Sequence, residues 1–161
     1  MKFVRVLPEE IPELSAFATE IVKKHFDPII GAAQNDYMIA HFQTVEAITG
    51  QFEHGYRYYW MQEEDGRAGF FAIFPRDGMM YLSKFYVHEN FRGRHIASKA
   101  FEKIVALTAE EGLSKVFLNV NRDNTDVINI YYHLGFVKAR EEKNDIGGGF
   151  YMDDYVLEYT L

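Results

Sequence analysis

The sequence predicts an α+β protein: a mixed, mostly antiparallel sheet of about six to seven strands, flanked by about four helices. Three observations carry that expectation. Between residues 57 and 87, three strand candidates, the first rich in aromatics, are separated by Asp65-Gly66 and Asp77-Gly78, the dipeptides that favour tight hairpins. From Met80 onward the pattern changes to strand, helix, strand, helix, strand, the signature of helices packed on a sheet. The chain has 161 residues, 48% of them apolar, which suits one domain over residues 1–161 around one core.

Taken in order, Phe3 to Leu7 alternates and reads as a first strand. Pro8-Glu9-Glu10 opens a helix whose apolar positions Ile11, Leu14, Phe17, Ala18, Ile21 and Val22 recur close to the helical period. Asp27-Pro28 is expected to end it or turn the chain. A more polar helical stretch follows from Ala32 to Gly50, with a break expected near Gln43-Thr44. Strands are expected over Arg57–Glu63, Ala68–Phe74 and Met80–Val87. Ile96, Ala100, Ile104 and Leu107 mark one face of a long helix, widened by Phe101 and Val105, that Gly112 ends. Lys115–Val120 reads as a strand, Asn124–Leu134 as a helix closed by Gly135-Phe136, and Phe136–Glu141 and Tyr151–Tyr159 as the last two strands. The Gly147-Gly148-Gly149 run between these strands is too short for a linker and reads as a turn.

Composition excludes several function classes. The formal net charge of -7 argues against a nucleic-acid binder, whose affinity comes from clustered Lys and Arg. The same charge suits a cationic small substrate. There is no cysteine, so a disulfide framework, a thiol nucleophile and a thiolate metal site are all excluded. The six His residues form no metal-ligand spacing, and no metal is expected. No apolar run approaches membrane-spanning length and the first residues carry no secretion-signal pattern, so the cytoplasm is the expected address. Most of the 14 Phe and 11 Tyr are expected in the core, and surplus Tyr suits a pocket lining or a homodimer face.

The most informative segment is Phe85-Tyr86-Val87-His88-Glu89-Asn90-Phe91-Arg92-Gly93-Arg94-His95-Ile96-Ala97-Ser98. A strand ends, a turn carries one Gly and two Arg, and a helix begins. The first N–H groups of a helix have no intrahelical partner and sit at the positive end of its dipole, so such a turn is suited to phosphate. Gly93 takes a side chain away where backbone would approach the ligand, and Arg92 and Arg94 add donors and charge. The segment resembles the cofactor motif of the GNAT acetyltransferases: Arg or Gln, two variable residues, Gly, one variable residue, then Gly or Ala. Here it falls on Arg92-Gly93-Arg94-His95-Ile96-Ala97, with His95 where the family usually has Gly. The stretch from Leu118 to Phe136 resembles the family's later signature, with Asn124 as its Asn, Tyr131 as its helix Tyr and Gly135-Phe136 as its closing pair.

That resemblance implies a sheet with splayed middle strands and acetyl-CoA as co-substrate. It places the pantetheine arm along Phe85, Tyr86 and Val87, the pyrophosphate on backbone N–H groups from Arg92 through Gly93, Arg94, His95 and Ile96 to Ala97, and a cofactor contact at Asn124. It implies direct attack of an amine on the thioester, with the Val87 N–H as oxyanion donor and Tyr131 as the acid that protonates the thiolate. A general base is not evident, since Met80–Val87 holds no Asp or Glu. The acceptor region implied by the family lies within Phe26–Gln43 and Ile146–Asp154, here including Tyr37, Asp153 and Asp154. The acidic rim suits a diamine or polyamine; peptide N-termini, amino acids, aminoglycosides and ribosomal proteins stay open as acceptors. A non-catalytic acyl-CoA-binding sensor or interaction module on the same fold is the alternative from a different class.

Overall fold

The computed structural model describes residues 1–161. Seven strands join one sheet in the order β1-β2-β3-β4-β5-β7-β6. They are β1 (Lys2–Arg5), β2 (Arg57–Glu63), β3 (Gly66–Arg76), β4 (Met79–Val87), β5 (Lys115–Asn121), β6 (Val137–Gly147) and β7 (Phe150–Thr160). The helices are α1 (Ile11–Ile30), α2 (Ala32–Phe42), α3 (Val45–Glu53), α4 (Ile96–Glu110) and α5 (Thr125–Leu134). β1 runs antiparallel to β2, and β7 runs antiparallel to both β5 and β6. β5 joins β4 in parallel through Met80↔Val116 and Tyr81↔Phe117. The mixed, mostly antiparallel sheet of the sequence reading is therefore present. The polar stretch after residue 31 divides at the expected place. Gln43 closes α2, and Thr44 accepts the Ala47 N–H at 3.1 Å to cap α3, so there are five helices where about four were expected.

Two compact units emerge from the contacts. The first comprises Met1–Ala72 and Lys84–Ile96. Its core gathers Val6, Leu14, Ala18, Ile48, Tyr58, Trp60 and Phe70, all buried. α1 turns Ile11, Leu14, Ala18, Ile21 and Val22 inward, as its periodicity requires, and Phe17 meets Trp60 edge-on at 5.7 Å. Aromatic truncations in such a core cost about 3 to 5 kcal/mol each. The expected stop at Asp27-Pro28 does not occur, and α1 continues to Ile30. Pro28 lies in the last turn, where its missing N–H forfeits a single helical bond. Asp27 is also held in place: Lys23 pairs with it at 2.7 Å and Asn35, fully buried on α2, donates to it at 2.8 Å. Gly31, at φ 86, ends the helix instead.

The second unit comprises Ile73–Ser83 and Ala97–Leu161. Ala100, Phe101, Ile104 and Leu107 of α4, Val116, Leu118 and Val120 of β5, and Ile128 and Tyr131 of α5 are buried there. Phe101 packs on Phe136 at 5.2 Å and edge-on against Tyr159 at 4.9 Å. Gly135 sits at φ 106 after α5, and a Cβ there would press on the Tyr159 ring at 3.0 Å, so the Gly-Phe closure has both a conformational and a steric cause. β6 is longer than expected, reaching Gly147, because it pairs with β7 down to the Gly-rich hairpin.

Candidate active site

In the first unit, β4 ends at Val87 and the chain makes a short 3-10 turn, Glu89–Phe91, that buries Phe91. The His88 N–H donates to the Ala68 carbonyl at 2.7 Å, fixing the exit from the strand. Tyr86 packs against Phe70 at 5.5 Å and Phe26 at 6.5 Å, and Phe85 meets Phe71 at 6.5 Å. The next residues, Arg92 to His95, are exposed, and α4 begins at Ile96. Two of them are left-handed: Gly93 at φ 80 and His95 at φ 59. A Cβ on Gly93 would meet nothing within 4 Å, so backbone conformation, not clearance within the protein, requires glycine there.

His95 adopts a conformation that costs most residues about 1 to 2 kcal/mol, although His is among the types enriched there. His95→Val, which adds β-branching at that φ, should lose about 1 to 2 kcal/mol of stability, whereas His95→Gly should hold or gain. Thermal melts of the two variants check this.

The two arginines divide their work. Arg94 clamps Asp65 of the β2–β3 hairpin through Nη1 at 3.1 and 3.2 Å and lies over the Phe91 ring at 4.8 Å, so it holds the turn in shape. Arg92 lines a cavity of about 250 Å³ with Glu20, Ile21, Lys24, His25, His88 and Glu89. Within it Glu89 pairs with Lys24, and Glu20 lies 3.6 Å from the His88 ring.

Sequence reasoning passed over Lys84. It continues the inward alternation Met80, Leu82, Lys84 on β4, a lone cation in an apolar phase, and that was the available signal. Its Nζ donates to the Phe42 carbonyl at 2.7 Å, Gln43 Oε1 at 2.9 Å and Gln51 Oε1 at 3.2 Å, 5.2 Å from the Tyr58 ring centroid. It therefore ties the α2–α3 corner to β4. Burial pushes its ammonium down to about 7. Because the unfolded lysine holds its proton to higher pH, the unfolded state binds more protons above pH 7, and stability should rise toward pH 10 by up to about 4 kcal/mol. Lys84→Met should abolish that rise in urea unfolding measured across the range.

In the second unit, Tyr131 is 8% exposed, with its ring edge-on to Phe136 at 5.3 Å. Asn124 holds the N-cap position of α5 and is buried, yet its side chain makes no cap bond to its own helix. Ala97 continues α4. Asp153 pairs with Arg122 at 3.1 Å. Asp154 differs from the expected acidic rim: it is 2% exposed. It shares the inward phase of β7 with Val156, which is why a residue read as surface charge is buried. Burial foremost, then the charges of Asp153 and Glu142, raise its carboxyl to about 6, against an opposing hydrogen bond from Asn119. Tyr37 is half-buried on α2 in the first unit, stacked on His41 at 4.1 Å. The predicted residues thus divide between the units: Phe85 to Ile96 and Tyr37 in one, Ala97, Asn124, Tyr131, Asp153 and Asp154 in the other. No group of three metal-ligating side chains occurs.

The site is thus a left-handed basic turn leading from β4 into α4 on a mixed seven-stranded sheet. Residues 20–136 match the model of the Acetyltransferase (GNAT) family, and the chain belongs to that family. An uncharacterised N-acetyltransferase of Mycobacterium tuberculosis strain H37Rv is 30% identical over 99 residues. That match spans 60% of this chain and 63% of the relative's length. The PaiA N-acetyltransferase of Thermoplasma acidophilum, solved in complex with coenzyme A, is similar at a TM-score of 0.81 and 16% identity, covering 99% of this chain and 98% of that one. A GCN5-related N-acetyltransferase of Rhodopseudomonas palustris reaches 0.82 at 12% identity, with 99% and 95% covered. These likenesses establish a shared fold.

Proposed function

We propose that the protein transfers an acetyl group from acetyl-CoA to a primary amine by direct attack. The observation that carries this reading is the turn from Arg92 to His95. Its two left-handed residues sit where the chain enters α4, among exposed positions. Successive N–H groups presented this way form an anion cradle ahead of a helix N-terminus. Arg92 supplies a cation beside it, and the Asp65 carboxylate that reaches the turn is paired with Arg94. The residues present therefore fit a diphosphate-bearing cofactor, which brings the activated acetyl thioester. In this reading Arg92 to Ala97 hold the pyrophosphate, Phe85 to Val87 and Asn124 align the arm, the Val87 N–H receives the oxyanion, and Tyr131 protonates the departing thiolate. The net charge of -7 favours a cationic acceptor, a diamine or polyamine.

The test is calorimetric titration with acetyl-CoA, then release of free CoA with spermidine and a panel of other amines, read with a thiol reagent. A chain without cysteine contributes no background. Binding with amine-dependent release supports the reading and ranks the acceptors. Binding without release across the panel favours a non-catalytic acyl-CoA module, and absence of binding removes the cofactor assignment.

A further inference from the structure

Asp154 is a buried carboxyl that no cation neutralises. It is 2% exposed, and the hydrogen bond it receives comes from the neutral amide of Asn119 on β5. The charged groups facing it are carboxylates. Asp153, its neighbour on β7, is engaged by Arg122 at 3.1 Å, and Glu142, opposite it on β6, by Arg140 at 2.9 Å. Burial of an unpaired acid costs stability and brings the fold no ion pair in return, the pattern of a group retained for chemistry.

Its partner is open to solvent. Asn119 is exposed although β5 is an interior strand paired on both sides, while Leu118 and Val120 beside it are buried. Asn119 lies just past the Tyr81↔Phe117 register with β4, and the antiparallel pair Asn121↔Asp154 puts Asp154 on the same face of the sheet. The Asp154 carboxyl is thus hydrogen-bonded to a solvent-open side chain on the neighbouring strand.

We propose that Asp154 is the proton acceptor for the attacking amine. The assignment rests on the acyl-transfer reading above. The acceptor enters as an ammonium, which has no lone pair. One N–H proton passes to the Asp154 carboxylate, and the freed lone pair forms the bond to the thioester carbonyl carbon. As the C–S bond breaks, the thiolate takes the Tyr131 proton, and the phenolate regains one from the nitrogen of the new amide. The products are the acetamide, free thiol and a protonated Asp154, which returns its proton to solvent.

The experiment compares wild type, Asp154→Asn and Asp154→Glu in kcat/KM for the best amine between pH 5 and 9, in calorimetric affinity for acetyl-CoA, and in thermal melts at pH 8. The expected result is an acidic limb near pH 6 in wild type that is missing in Asp154→Asn. That variant should lose about 100-fold in kcat/KM while keeping its acetyl-CoA affinity and melting no lower than wild type. Asp154→Glu should recover part of the rate and shift the limb. Asp154→Asn that retains kcat/KM, or that unfolds or melts lower, overturns the assignment, the latter because the carboxylate would then serve the fold. Wild type that binds acetyl-CoA and acetylates no amine overturns the acyl-transfer reading and this assignment together.

Discussion

Gly69→Ala should cost about 3 kcal/mol or more and should be read as a fall in the urea midpoint, or as insoluble protein. A Cβ built on Gly69 would lie 2.0 Å from the Tyr86 carbonyl oxygen and 2.7 Å from the Met61 terminal methyl. The methyl could swing aside, but the carbonyl belongs to β4 backbone and moves only if the strands separate. The glycine is not needed for a left-handed conformation; it is needed because two backbones approach closely. The displaced carbonyl belongs to the strand end that the proposal places along the pantetheine arm. Any folded Gly69→Ala protein should therefore also bind acetyl-CoA more weakly, by about tenfold or more. Gly50→Ala is the control: it has open space on a helix, and should hold or gain up to about 1 kcal/mol.

Tyr131→Phe should lower kcat by about 100-fold and leave the acetyl-CoA dissociation constant within about twofold. The ring rests edge-on against Phe136, and phenylalanine keeps that contact, so stability should change by no more than about 1 kcal/mol. Stopped-flow single turnover, which separates thioester cleavage from binding, is the measurement that reads the acid role. A variant with unchanged kcat would assign the departing thiolate's proton to another donor. An equal loss in affinity and rate would make Tyr131 a packing residue of α5. Asp154→Asn and Tyr131→Phe remove protons from opposite ends of the reaction, so their pH profiles should differ: the first loses the acidic limb and the second keeps it.

Sequence by itself determined the order and type of the elements. Apolar and aromatic runs between Asp-Gly turns marked β2, β3 and β4, helical periodicity marked α1 and α4, and a Gly-Phe pair closed α5, because these signals are local and follow from backbone geometry. It also marked the turn at Arg92 to Ala97, since a Gly among basic residues between strand and helix is a local pattern. Tertiary structure decided the rest, and the reason is that burial is a property of neighbours. Lys84 and Asp154 are ordinary charges in a linear reading, and only packing makes one a threefold-bonded internal ammonium and the other an uncompensated acid. Arg94 reads as an unpaired surface cation until the β2–β3 hairpin brings Asp65 to it. Pro28 reads as a helix stop until Lys23 and Asn35 hold the last turn of α1 around it. Gly69 carries no signal in sequence at all, because the carbonyl that forbids its side chain belongs to Tyr86, on the next strand.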